Sequence, residues 1–206
     1  VYKRQDKYRN PYETLTFFGI RPDMKVIELS PGGGWYTEIL ASYLKEEGEL
    51  IAAHFDPSMG DFAKRVRGNF EKKLASSSVY DRVKLVSLNT QYSEAESVDA
   101  VVTFRNLHNW IGPNWDFIIK SAHKSLKKGG VLGVVEHRAK QGTSLENMKK
   151  TGYVTEEYAI ESIEKLGFKL VAKSEINSNP KDTKDHPKGV WTLPPVMRLK
   201  ALNQDK

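Results

Sequence analysis

Three groups of residues have types and spacings that could do chemistry. The first is the run Glu28-Leu29-Ser30-Pro31-Gly32-Gly33-Gly34-Trp35-Tyr36-Thr37. Consecutive glycines let a backbone turn tightly and approach a ligand closely, and a helix that opens there leaves free N–H groups facing it. Glu28 places an acid at the end of the apolar run before the glycines. A carboxylate there suits a cationic ligand and repels a pyrophosphate. The second group is Arg105-Asn106-Leu107-His108-Asn109-Trp110. His108, whose ordinary pKa lies near neutrality, could serve as a general base, and Asn106 could orient a substrate or cofactor. The third is Glu136-His137-Arg138, three polar residues closing an apolar stretch. The bland alternatives are packing for His108 and Trp110, and a local salt-bridge network for Glu136, His137 and Arg138.

These groups need elements to position them, and the hydrophobic pattern supplies an alternation of strands and helices. Residues 25–30, 49–54, 83–88, 98–104, 131–136 and 168–176 read as six strands. Residues 35–44, 59–75, 115–126 and 156–166 read as the intervening helices, the last capped by Thr155 and stopped by Gly167. A short helix over 8–19 should bury Leu15, Phe17 and Phe18, and Ile39, Leu40 and Tyr43 share helical spacing in the next. Lys127-Lys128-Gly129-Gly130 looks like a helix end, with cations at the negative pole and a glycine cap. Alternation of this kind implies a mainly parallel sheet covered on both faces. Residues 177–195 form a polar, proline-containing loop ending in a short apolar piece, 190–193, which reads as a seventh strand. Asp182, Lys184, Asp185 and His186 in that loop could close over a substrate. His137, His186, Asp182 and Asp185 include no helix-spaced histidine pair, so no metal is expected.

The composition narrows the function classes. A chain of 206 residues fits one domain, with 1–24 as an N-terminal helical extension and 177–195 as long loop plus last strand. It has no cysteine, which excludes thiol catalysis, disulfides and cysteine-based zinc sites. No apolar run reaches the length of a membrane span. The net charge of +6 permits anionic partners. The basic residues are scattered, so nucleic acid is a possible partner but not the favoured one. A small-molecule substrate is expected, the oligomeric state is not legible, and the expected location is cytoplasmic. Export is the alternative if a leader was removed upstream of Val1.

The glycine run can be weighed between two cofactor classes. A dinucleotide turn needs Gly-x-Gly-x-x-Gly, and here the third glycine position is Thr37. With Glu28 in place, S-adenosylmethionine, whose sulfonium and ammonium are both positive, is favoured over a nicotinamide. The run resembles motif I of class I methyltransferases, acidic-x-Gly-x-Gly-x-Gly, with Ser30 in the first glycine position and Gly32 and Gly34 in the others. Asp99-Ala100-Val101-Val102-Thr103 and Leu126-Lys127-Lys128-Gly129-Gly130-Val131-Leu132 are similar to that superfamily's fourth strand and the turn before its fifth. More narrowly, the chain resembles a family of predicted bacterial methyltransferases of unassigned substrate. The resemblance is carried by residues 31–40, by Thr103-Phe104-Arg105-Asn106-Leu107-His108-Asn109-Trp110, by 179–195 and by 8–15.

The resemblance implies an α/β, doubly wound, mainly parallel seven-stranded Rossmann-like methyltransferase sheet with an antiparallel last strand, in a single methyltransferase domain over 1–206. It implies S-adenosyl-L-methionine held by Glu28, Ser30, Pro31, Gly32, Gly34, Tyr36, Thr37, Arg105 and Asn106. The position that usually carries the ribose-binding acid is His54 here, with Asp56 two residues on. Asp56, or His54 by a different contact, is therefore expected at the ribose, and Asn89 near the adenine. His108, Asn106, Glu136 and His137 are the expected catalytic set. The function implied is methyl transfer to an unidentified small acceptor. A catalytically silent cofactor-binding or regulatory protein of the same fold, or an RNA or protein methyltransferase, is the alternative.

Overall fold

The computed structural model describes residues 8–194 and 196–198. Residues 1–7 of the expected N-terminal extension, and Pro195 in the expected last-strand segment, lie outside it. Five strands form one sheet: β1 (Lys25–Leu29), β2 (Glu49–His54), β3 (Lys84–Ser87), β4 (Val98–Phe104) and β5 (Leu126–Val135). Their order is β3-β2-β1-β4-β5, and every pairing is parallel. Helices α1 (Pro11–Phe17), α2 (Trp35–Leu44), α3 (Asp61–Leu74), α4 (Leu107–Trp110), α5 (Trp115–Ser125), α6 (Leu145–Thr151) and α7 (Glu156–Glu164) connect them. Among the described residues no helix is long and apolar enough to cross a membrane.

Successive residues of a strand point to opposite faces, and here both faces are covered. Ile27, Leu29, Ile51, Ala53 and Val101 face one core with Leu107, Trp115, Ile118, Ile119 and Ala122. Val26, Leu50, Ala100 and Val102 face the other with Leu15, Phe18, Leu40, Ala41 and Leu44. This double coverage explains why the strands read as apolar runs. From β1 the chain winds outward through β2 and β3, then returns to place β4 on the other side of β1. The carboxyl ends of β1 and β4 thus meet at a topological switch point, where doubly wound sheets bind ligands.

Several expectations are corrected. The sheet has five strands rather than seven, and no antiparallel one among the described residues. Residues 168–176 are not a strand: among the described residues they join no sheet, and Val171 is 92% exposed. The apolar piece at 190–193 is a 3-10 turn, Gly189–Thr192, that packs Val190 and Trp191 on Ala139 and Tyr153. Residues 127–130 do not cap α5. They belong to β5, looping out between the Val98–Leu126 and Ala100–Val131 pairs, with Lys127 bonded to Asp99 at 2.6 Å. Phe17 and Tyr43 are largely exposed, whereas Leu15, Phe18 and Leu40 are buried as expected. Helices α4 and α6 lie in stretches that carry no clear apolar period. Helix α6 is set by its ends: Ser144 Oγ accepts from the Asn147 N–H, and Gly152 closes the helix at φ 74°.

Candidate active site

The glycine run folds as a tight turn between β1 and α2. Ser30 and Gly32 both adopt left-handed φ, 52° and 60°, and Gly34 begins α2 at φ 75°. Gly34 is required there twice over: L-residues avoid that φ, and a Cβ would lie 2.9 Å from the Phe70 ring. By contrast, the space beside Gly32 and Gly33 is open, with nothing within 4 Å of where a Cβ would stand. The start of α2 has no side-chain cap, so its first N–H groups remain available to a ligand. Pro31 continues the turn, and its carbonyl accepts from the Gly34 N–H.

The side chains around the turn divide into struts and open groups. Glu28 is only 2% exposed and accepts a 2.6 Å hydrogen bond from the Thr37 hydroxyl, which is itself fully buried. Burial pushes the Glu28 carboxyl from 4.5 up to about 7, against the lowering influence of Thr37 and Lys73. His54 stacks on Phe70 and meets the Gly32 carbonyl through Nε2 at 3.1 Å. Burial lowers its pKa and so favours the neutral imidazole. Tyr36 stacks face to face on Phe104 at 3.4 Å and donates its hydroxyl to the Arg9 carbonyl. The Asn106 amide donates to the carbonyls of Leu29, Ser30 and Phe104 and to the Thr103 hydroxyl, tying the ends of β1 and β4 together. Glu28, Thr37, His54, Tyr36 and Asn106 therefore hold the turn in shape.

The open groups are fewer. Ser30 Oγ is buried at the turn and has no hydrogen-bond partner among the described residues. Asp56 is partly buried at the carboxyl end of β2, capping the 3-10 turn Pro57–Met59 through bonds from Ser58. Those bonds hold its carboxyl below the usual range, with Ser87 and Asn89 adding to the effect. Asn89 and Asp56, far apart in sequence, thus meet at the ends of β2 and β3.

The expected catalytic residues converge across β4 and β5. His108 on α4 is bonded through Nδ1 to Glu136 Oε1 at 3.1 Å, and both side chains are buried. Glu136, just past β5, also accepts from the backbone N–H groups of His108 and His137. His137 stands beside the pair, its ring 6.3 Å from that of His108. Burial, then the charges of Arg105, His108 and Arg9, lower its pKa to about 3, so it is neutral in the physiological range. The loop that follows α7 returns to this place: Asp182 accepts from Tyr153 at 2.8 Å and meets His186 Nε2 at 3.1 Å, and Trp191 packs edge-on against His108. Asp185 stays at the surface, bonded to Thr183, and Lys184 is half-buried. Nothing in the sequence marks Tyr153 as the anchor of that loop. A tyrosine just after a helix-ending glycine gives no local sign of a partner 29 residues away.

A doubly wound sheet with a glycine turn and open polar groups at its switch point defines a class of protein that binds a nucleoside-bearing cofactor there. Comparison with known proteins narrows the class. Residues 27–134, just over half of the chain, match the family model described as methyltransferase domain. A SAM-dependent methyltransferase from Aquifex aeolicus superposes with a TM-score of 0.64 at 16% identity, over 82% of this chain and 84% of that one. The [4+2]-cyclase SpnF gives 0.63 at 16% identity, over 80% and 58%. An arsenic(III) S-adenosylmethionine methyltransferase from Chlamydomonas reinhardtii gives 0.55 at 16% identity, over 72% and 52%. Comparison with curated protein sequences gives no match. The chain belongs to the methyltransferase-domain family, and its fold is that of class I S-adenosylmethionine-dependent methyltransferases such as the Aquifex aeolicus protein.

Proposed function

We propose that this chain transfers a methyl group to an oxygen, nitrogen or carbon atom of a small molecule, with His108 as general base and Glu136 as the residue that orients it. The observation that carries the reading is the buried His108–Glu136 pair at the carboxyl ends of β4 and β5. With Nδ1–H donated to Glu136, the His108 Nε2 lone pair is left to accept a proton. The carboxylate fixes the ring and favours the imidazolium that forms, as an orienting acid does in other base catalysts.

The turn fits the cofactor. Open space at Gly32 and Gly33 admits a ligand against the backbone, and the orphaned Ser30 hydroxyl supplies a polar contact. Asp56 is suited to the ribose hydroxyls and Asn89 to the adenine amine. When bound, S-adenosylmethionine supplies a methyl carbon activated by a positive sulfur. The chain's own part is to position the acceptor, exclude water and take the proton. His108 Nε2 would take the proton that the acceptor atom gives up on being methylated.

The neighbours' named reactions differ, one a cyclisation and one an arsenic methylation, so the acceptor must be found with this chain. Labelled S-adenosylmethionine and a small-molecule cell extract give a direct test. His108→Gln should lose at least roughly a hundredfold in methyl transfer while keeping its affinity for S-adenosylhomocysteine. Cofactor binding with no labelled product from any extract would instead favour a silent, regulatory protein. Unchanged transfer in His108→Gln would remove the base.

A further inference from the structure

Two arginines, Arg9 and Arg105, stand beside this site and form no ion pair among the described residues. Arg105 follows β4 directly, and its backbone is held in the left-handed region at φ 64° by a 2.6 Å hydrogen bond from its N–H to the Val135 carbonyl. A non-glycine residue in that region is strained and persists only where its surroundings impose it. Its guanidinium reaches back to the Tyr8 carbonyl at 3.5 Å. Arg9 lies over the Trp35 ring at 4.7 Å, and its segment is pinned by Tyr36 and Thr14 hydroxyls and by the Asn10 amide on Ile176. Both side chains line one cavity along the open edge of β5, together with Glu136 and His137.

Among the described residues neither guanidinium has a carboxylate within ion-pair distance. Glu136, the nearest acid to influence Arg105, is already held by His108 and by two backbone N–H groups. Burial, then the charge of Arg105, lowers the Arg9 pKa to about 10. Two like charges drawn out of water without a counter-ion are unfavourable, and a shared oxyanion would relieve both. Guanidinium forks fit carboxylate and phosphate oxygens in pairs.

We propose that Arg9 and Arg105 form a subsite for an oxyanion, a carboxylate or phosphate, carried by the methyl acceptor. The subsite rests on the methyl-transfer reading, names the acceptor's class, and takes Arg105 out of the cofactor-binding set that the sequence resemblance implies. The acceptor side is favoured because Glu136, which holds His108, lines this cavity, whereas the residues of the glycine turn do not. An acid-bearing acceptor anchored there would share the cavity with Glu136 and His137.

The test is calorimetry on the full chain loaded with S-adenosylhomocysteine, using benzoate and phenyl phosphate as probes. One of them should bind, and the preferred one identifies the oxyanion. Arg9→Gln and Arg105→Gln should each weaken that binding at least tenfold, Arg105→Lys should lose less than Arg105→Gln, and S-adenosylhomocysteine affinity should change less than threefold. Loaded wild-type protein that binds neither probe overturns the proposal, and needs no variant to fold. So does a tenfold loss of S-adenosylhomocysteine affinity in the arginine variants with 5′-methylthioadenosine, which lacks the amino-acid carboxylate, bound as before. That result would assign the arginines to the cofactor. If wild-type protein does not bind S-adenosylhomocysteine at all, the methyl-transfer reading fails by itself. Titration of the unloaded protein then still decides whether an oxyanion site exists.

Discussion

Replacing Glu28 by Gln separates the acid's charge from its place in the fold. The carboxyl is sealed beneath the glycine turn, with the Thr37 hydroxyl as its hydrogen-bond partner. Its pKa rises from 4.5 to about 7 on folding, because burial disfavours the charged form. The folded chain therefore holds a proton that the unfolded chain gives up between those values. By linkage, the stabilisation is full below pH 4.5 and is lost as pH climbs through about 7. At about 1.4 kcal/mol per tenfold, the loss comes to roughly 3 kcal/mol. The substituted amide would keep an acceptor for Thr37 and cannot ionise. Any cost of its added N–H groups is the same at every pH, so the comparison rests on slope and not on absolute stability. Urea unfolding at intervals from pH 4.5 to about pH 8 measures it. The stability of the wild type relative to Glu28→Gln should fall by roughly 3 kcal/mol across that window. Parallel profiles would refute the reasoning, by showing that water or a counter-charge reaches the carboxyl.

Binding of S-adenosylhomocysteine near pH 6.5 should release a fraction of a proton in the wild type and none in Glu28→Gln, if the ligand's ammonium favours the carboxylate. Calorimetry in two buffers of different ionisation enthalpy reads this directly. Gly34→Ala should cost about 1–2 kcal/mol for the left-handed backbone alone and weaken S-adenosylhomocysteine at least tenfold, since the Phe70 ring must also move. Thermal melts and calorimetry check both effects. Asn106→Ala removes the donor shared by the ends of β1 and β4, and should cost about 1–3 kcal/mol in urea unfolding. Gly189→Ala would drive a Cβ into the Thr151 carbonyl, so it should release the 3-10 turn from α6. Faster proteolysis within 177–194, with the sheet's unfolding midpoint little changed, is the expected result.

Much of this molecule was readable one residue at a time. Strands β2 and β4 fall where their apolar runs lie, because a strand covered on both faces must be apolar on both. The glycine turn was legible because few backbones besides glycine's take the left-handed steps it needs at Gly32 and Gly34. His108, Glu136 and His137 were nominated from their places at strand ends, and the fold brings the first two into contact.

Partners were not legible, because they come from distant segments. Residues 168–176 have the composition of a strand, but a strand exists only where an edge accepts its hydrogen bonds, and among the described residues this segment joins no sheet edge. The rings of Tyr36 and His54 stack on Phe104 and Phe70, partners that the sequence does not indicate. Sequence determined that a glycine turn with an acid before it would follow β1. Tertiary packing decided that Glu28 lies sealed and bonded to Thr37, since burial is set by what folds over a side chain.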